Sequence, residues 1–210
     1  MREGATTEKE RCSIDAVHIQ LSWNGTLAAL SGVLAVAAGW LYIRDILKGG
    51  ETRPNAVSFF LWTVLQAIAL MAQIKEGASF SVVIVIMVTL NTGVVTVLAL
   101  IGYGYRKYGK TDIYCALLVV AAIAGWRVTG NPVLAIGFAI VGDLFAAVPT
   151  MVKTKKDPYS EHLPAWGIIV AASIFGVLST DRLDAANLAF PLYLVVSNGI
   201  IFALALFGRR

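Results

Sequence analysis

Long uncharged apolar runs separated by short polar segments dominate this sequence. Residues 19–43, 54–74, 77–105 and 185–208 carry no Asp, Glu, Lys or Arg, and residues 163–180 form a shorter run of the same kind. The stretch 128–152 is interrupted only by Asp143, and residues 113–126 are apolar but short. A helix rises about 1.5 Å per residue, so about 20 apolar residues cross about 30 Å of hydrocarbon. The pattern therefore predicts seven membrane-spanning helices, near 23–44, 55–74, 79–103, 112–129, 131–152, 163–180 and 185–207. Alternating barrel strands are excluded because the runs are continuous. Residues 1–22 mix acids and bases and read as an N-terminal tail, with an interfacial segment around residues 14–23 as one form of it.

Composition agrees with this picture. The 210 residues are 58% hydrophobic and 14% charged, with mean hydropathy +0.74. The net charge of +4 is topological in origin and does not point to nucleic acid. With the N-terminus outside, eleven Lys and Arg fall in cytoplasmic segments and six outside. The positive-inside rule then sets the N-terminus outside and the C-terminus in the cytoplasm. Tyr103, Tyr105, Tyr108 and Tyr114 cluster at the proposed cytoplasmic interface, as an aromatic belt would. Cys12 and Cys115 show no pairing or metal-binding pattern. The last span has no Lys for a retinal Schiff base, and His18 and His162 sit at span edges, unsuited to a buried bis-His haem. With no nucleophile–base motif either, neither an enzyme nor a cofactor is expected.

The chain also matches itself weakly. Pro54 precedes Trp62 by eight residues, and Pro158 precedes Trp166 by eight. Each pair follows a basic loop and opens an apolar run, about 104 residues apart. Asn91 and Asn198 stand mid-span in the third and seventh runs. Gly39-Trp40-Leu41-Tyr42 corresponds to Gly142-Asp143-Leu144-Phe145. The organisation expected is an all-α, seven-helix membrane protein in a 3+1+3 parallel repeat. Its first unit is 23–103, its linker helix 104–130 and its second unit 131–210.

On these residues the chain resembles the PQ-loop superfamily, which includes the SWEET sugar transporters and lysosomal amino-acid exporters. The family has the same three-one-three topology and N-out orientation. Pro149-Thr150 stands at the Pro-Gln site of the second repeat and Ile46-Leu47 at that of the first, so neither dipeptide is intact. The chain is also similar to a bacterial branch of membrane proteins with a Thr52-Arg53-Pro54…Trp62 loop and an Asn131-Pro132…Asp143…Pro149-Thr150…Pro158-Tyr159-Ser160-Glu161 run. The resemblance implies a carrier that alternates access between its two units. It implies solute contacts by Asn91 and Asn198, and helix hinges at Pro54, Pro149 and Pro158.

Read for chemistry, Asp143 is the one acid deep in a span. An ionised carboxylate at that depth costs at least about 2.5–3.5 kcal/mol. It is read as a proton- or cation-coupling group or a direct solute ligand, against a neutral acid that only packs. Asn91 and Asn198 offer amide donors and acceptors to a neutral polar solute, or serve as interhelical bonds. Gln66 and Gln73 share a helix face with Trp62, and Trp40 is deep enough to be the pocket tryptophan. Trp62 and Trp166 read as gate residues or interface anchors. The expected function is a carrier for a small sugar or amino-acid-like solute, proton-coupled through Asp143. Its expected setting is the bacterial plasma membrane, its partners are the solute and the lipid bilayer, and a homo-oligomer is compatible with it. A binding or sorting receptor and an accessory membrane protein are the alternatives.

Overall fold

A computed structural model describes residues 3–105 and 109–210, with side chains from residue 23 onward except those of residues 111, 122 and 126. Seven α-helices make up the described chain: α1 (Glu3–Leu47), α2 (Ala56–Lys75), α3 (Val82–Leu98), α4 (Lys110–Thr129), α5 (Pro132–Lys156), α6 (Leu163–Leu178) and α7 (Ala185–Phe207). No strand occurs among the described residues beyond a single bridge between Asn55 and Tyr105.

The helix starts are encoded locally. Asn55, Asn131, His162 and Asp184 each cap a helix with a side-chain acceptor for a first-turn backbone N–H. Pro lies in the first turn of α5 and of α6, where its missing N–H costs nothing. Bonds from the Asn187 side chain and backbone N–H hold the half-exposed Asp184 carboxyl below the usual carboxylate range. Gly77 (φ 76°) turns the chain just after α2, and Gly130 (φ 62°) turns it between α4 and α5.

Three features differ from the hydropathy reading. Helix α1 begins at Glu3, so residues 3–22 continue the first span as helix. No proline interrupts them, and hydropathy alone does not register a polar helix. The third span is α-helical only to Leu98 and ends in a π-helical turn, Ala99–Tyr103, with Gly102 at φ 122°. Pro158 opens a short 3-10 turn, Pro158–Ser160, and Pro164 is the proline that starts α6. Cys12, His18, Arg106, Lys107 and Tyr108 lie outside the described residues and side chains.

Six helices are long and apolar enough to cross a membrane, and α6 is apolar but only 16 residues long. Large side chains such as Val33, Leu90, Val97, Leu117, Val120 and Val196 are exposed on the outer surface of the bundle. A water-soluble surface would not carry so much contiguous apolar area, whereas hydrocarbon solvates it. The chain is thus read as an integral membrane protein.

Helix α1 packs against α3 and α6, and α2 packs against α3 and α5. Helix α7 packs against α5 and α6, and α4 packs mainly on α5. Buried alanines (Ala35, Ala69, Ala72, Ala135, Ala139, Ala172) allow close helix approach in one apolar cluster. A second, ring-rich cluster holds Tyr42, Phe59, Trp62 and Trp166. It lies toward the end where α1, α3, α5 and α7 finish and where Arg44, Lys48, Arg53, Lys153 and Arg209 gather, called the basic end below.

Candidate solute cavity

Between the two clusters lies a cavity of about 80 Å³. That is well above the roughly 10–15 Å³ a cavity needs to hold a water. Six helices build its wall. Helix α1 supplies Gly39 and Tyr42, α2 supplies Phe59, Trp62 and Gln66, and α3 supplies Asn91 and Thr92. Helix α5 supplies Asp143, α6 supplies Trp166 and Ile169, and α7 supplies Ser197 and Asn198.

Asp143 is 1% exposed. Its Oδ2 accepts from the Tyr193 hydroxyl at 2.7 Å, and its Oδ1 is buried with no partner among the described residues. The Tyr193 hydroxyl also lies 3.2 Å from Ser197 Oγ. Asn91 donates from Nδ2 to the Ala35 carbonyl at 2.8 Å, and Asn198 donates from Nδ2 to Ser173 Oγ at 3.4 Å. Gln66 accepts from the Thr92 hydroxyl at 3.0 Å. The amides of Asn91 and Asn198 thus come from different helices to one cavity, and Asp143 joins them there.

The rings form a closed circuit at the basic end of the cavity. Tyr42 and Phe59 have centroids 5.7 Å apart, Phe59 and Trp62 5.0 Å, Trp62 and Trp166 6.4 Å, and Trp166 and Tyr42 6.2 Å. Three of these pairs meet edge to face, the arrangement ring quadrupoles favour. Their polar edges are already engaged. Trp62 Nε1 donates to the Asp143 carbonyl at 3.1 Å. Trp166 Nε1 and the Tyr42 hydroxyl both donate to Glu161 Oε2 at 2.8 Å.

Beneath the rings is a buried ion pair, with Lys153 Nζ 2.5 Å from Glu161 Oε1 and both side chains almost fully buried. Lys153 also donates to the carbonyls of Arg53 and Ser160, and Arg209 donates to the Pro158 and Glu161 carbonyls. One carboxylate therefore ties α1, α5 and α6 together, and the loops before α2 and α6 are fastened to the same Lys.

Several expected site residues are placed elsewhere. Trp40 is 64% exposed and off the cavity wall. Gly39 and Tyr42 face inward, and a step of 100° from Gly39 turns Trp40 to the outer surface. Gln73 is buried but does not line the cavity. Seven residues from Gln66 keep it on the same face but about 10 Å further along the axis. Trp62 and Trp166 are buried wall residues, so the interface-anchor reading is corrected: their N–H groups bond inside the bundle. Pro54 is buried in the loop ahead of the Asn55 cap, and its carbonyl accepts from the Tyr105 N–H. Pro54 and Pro158 therefore shape loops instead of hinging a helix. Pro149 is inside α5, and Pro191, which sequence reasoning passed over, is inside α7. Each leaves the carbonyl four residues earlier without its helical donor.

Sequence reasoning also missed Tyr193, Tyr42 and the Lys153–Glu161 pair. A signal existed for Tyr193, a hydroxyl-bearing ring inside an uncharged run one turn before Ser197. Glu161 carried a weaker one, as the acid that interrupts a basic loop just ahead of an apolar run. Among the described residues no three His, Cys, Asp or Glu side chains gather as metal ligands would. Comparison with protein-family models, curated proteins and solved structures finds no match to this chain.

Proposed function

We propose that the protein is a membrane carrier for a small polar solute, with the central cavity as its binding site. The observation that carries this reading is the convergence of Asp143, Asn91 and Asn198 on one small cavity inside an apolar bundle. Polar groups at this depth are costly and mark solute or ion paths by default.

The neighbour pattern of the helices supports a 3+1+3 repeat. Exchanging α1 with α5, α2 with α6 and α3 with α7 turns the α1–α3 contact into α5–α7. It turns α2–α3 into α6–α7, and α1–α6 into α5–α2, all of which exist. Helix α4 is the odd element, attached chiefly to α5. In this reading the two units rock about the cavity. Pro149 and Pro191 give α5 and α7 weakened points at which to bend, and the ring circuit is the gate toward the basic end. The excess of Lys and Arg at that end favours its being cytoplasmic, with the N-terminus outside.

Reconstitution into liposomes tests the reading. Wild-type protein is expected to take up a small polar solute, and Asn91→Ala and Asn198→Ala to bind it more weakly while unfolding at nearly the wild-type temperature. Buried interhelical bonds of this kind contribute only about 0.6 kcal/mol on average, so a large loss of affinity with a small loss of stability distinguishes solute contact from packing. Binding without uptake would make the protein a receptor, and neither binding nor uptake would end the proposal. Orientation is checked separately by labelling a cysteine placed at residue 209. Reaction with an impermeant reagent on intact cells would reverse the assigned topology.

A further inference from the structure

The polar groups of the cavity are partly committed to the protein. The Nδ2 of Asn91 is committed to a backbone carbonyl, which can only accept, so its amide orientation is fixed. The Nδ2 of Asn198 is committed to Ser173 Oγ, whose own proton goes to the Ile169 carbonyl. What each amide leaves for a solute is its Oδ1 and the second N–H of its Nδ2. The third group is Asp143 Oδ1, buried and without a partner among the described residues. The Trp62, Trp166 and Tyr42 N–H and O–H groups are spent on protein acceptors.

A buried carboxylate oxygen without a partner among the described residues shares the cavity with four rings. Aromatic side chains attract cations, and a carboxylate in the same cavity adds its charge to that attraction. Resting on the reading of the cavity as the solute site, we propose that the solute is a small organic cation, an amine or alkylammonium. Its positive charge lies between Asp143 and the Tyr42–Phe59–Trp62–Trp166 rings.

The same carboxyl then holds either a proton or the cation, so one proton leaves as each cation binds. Titratable groups facing Asp143 are few. Tyr193 from α7 bonds it directly, and Tyr42 from α1 lines the same cavity. Helices α2, α3 and α6 present rings, amides, hydroxyls and apolar groups to the cavity. Lys110, Asp112 and Arg127 of α4 sit at its ends, and Lys153 and Glu161 are paired beneath the rings.

Calorimetry on the purified full-length protein with choline, its neutral isostere 3,3-dimethyl-1-butanol, and glucose tests this. Choline is expected to bind about tenfold tighter than the isostere or more. Its affinity should rise with pH by up to about tenfold per unit while Asp143 is protonated, with a proton released in buffers of differing ionisation heat. Asp143→Asn should abolish the preference and the proton release. Should that variant fail to fold, Phe59→Leu, which leaves every polar atom in place, should weaken choline more than the isostere. Equal or tighter binding of the isostere or of glucose would overturn the cation assignment and leave the carrier reading standing. If none of the three binds and none enters liposomes, both fall together.

Discussion

Glu161→Gln is expected to destabilise the protein by about 3–5 kcal/mol, because it strands a buried Lys. The Lys153 ammonium and the Glu161 carboxylate are 2.5 Å apart and nearly inaccessible to solvent. Removing one charge leaves the Lys153 ammonium in a low-dielectric site with neutral partners, the Arg53 and Ser160 carbonyls and the Tyr105 ring. Lys153→Met should be costly for the mirrored reason, although Glu161 would keep its bonds from Tyr42 and Trp166. Replacing both together should cost much less than the sum, with a coupling of at least about 2 kcal/mol. Thermal unfolding of the four proteins in one detergent measures this. Additive losses would mean that the two charges do not depend on each other. Solute affinity should fall as well, since Glu161 fixes two of the four rings. Glutamine keeps one acceptor oxygen, so the Lys153 ammonium and the Tyr42–Trp166 donors can no longer both be satisfied.

Hydropathy made the helices legible and left their rotation obscure. The seven runs in the sequence correspond to α1–α7 with ends within a few residues, except where α1 extends back to Glu3 and α3 gives way to a π-helical turn. A run of apolar residues reports depth along the membrane normal, which is why Asn91, Asn198 and Asp143 stood out from sequence and do share a cavity. It does not report which side of the helix faces the bundle. That ambiguity exchanged Trp40 for its neighbour Gly39, a difference of one residue and about 100°. The Lys153–Glu161 pair was invisible for another reason. A charge just outside an apolar run is solvated by default, and only packing the loop before α6 against α5 and α1 buries it. Trp62 illustrates the same limit, because an indole near a helix end reads as an interface anchor until its N–H is seen bonded to α5.

Gly39→Ala is expected to remove solute binding while leaving stability nearly unchanged. A Cβ at position 39 would overlap the Asn91 amide, which lies flat on α1 and reaches the Ala35 carbonyl one turn earlier. Asn91 must then swing away and give up that bond. The bond has limited value for the fold, about 0.6 kcal/mol as such bonds average in membranes. Alanine in a helix interior is favoured over glycine by about 0.8–1.0 kcal/mol. The two terms nearly cancel, so the unfolding temperature should move by no more than a few degrees. Binding should respond differently, because the displaced amide moves into the cavity and no longer holds its Oδ1 in place. Affinity is expected to drop about tenfold or more, the effect of one misplaced group of about 1.4 kcal/mol. Asn91→Ala in the Gly39→Ala background should add little further loss, since the amide has already left its place. Full additivity of the two substitutions would show that Gly39 and Asn91 act separately. Unaltered binding by Gly39→Ala would remove Asn91 from the site.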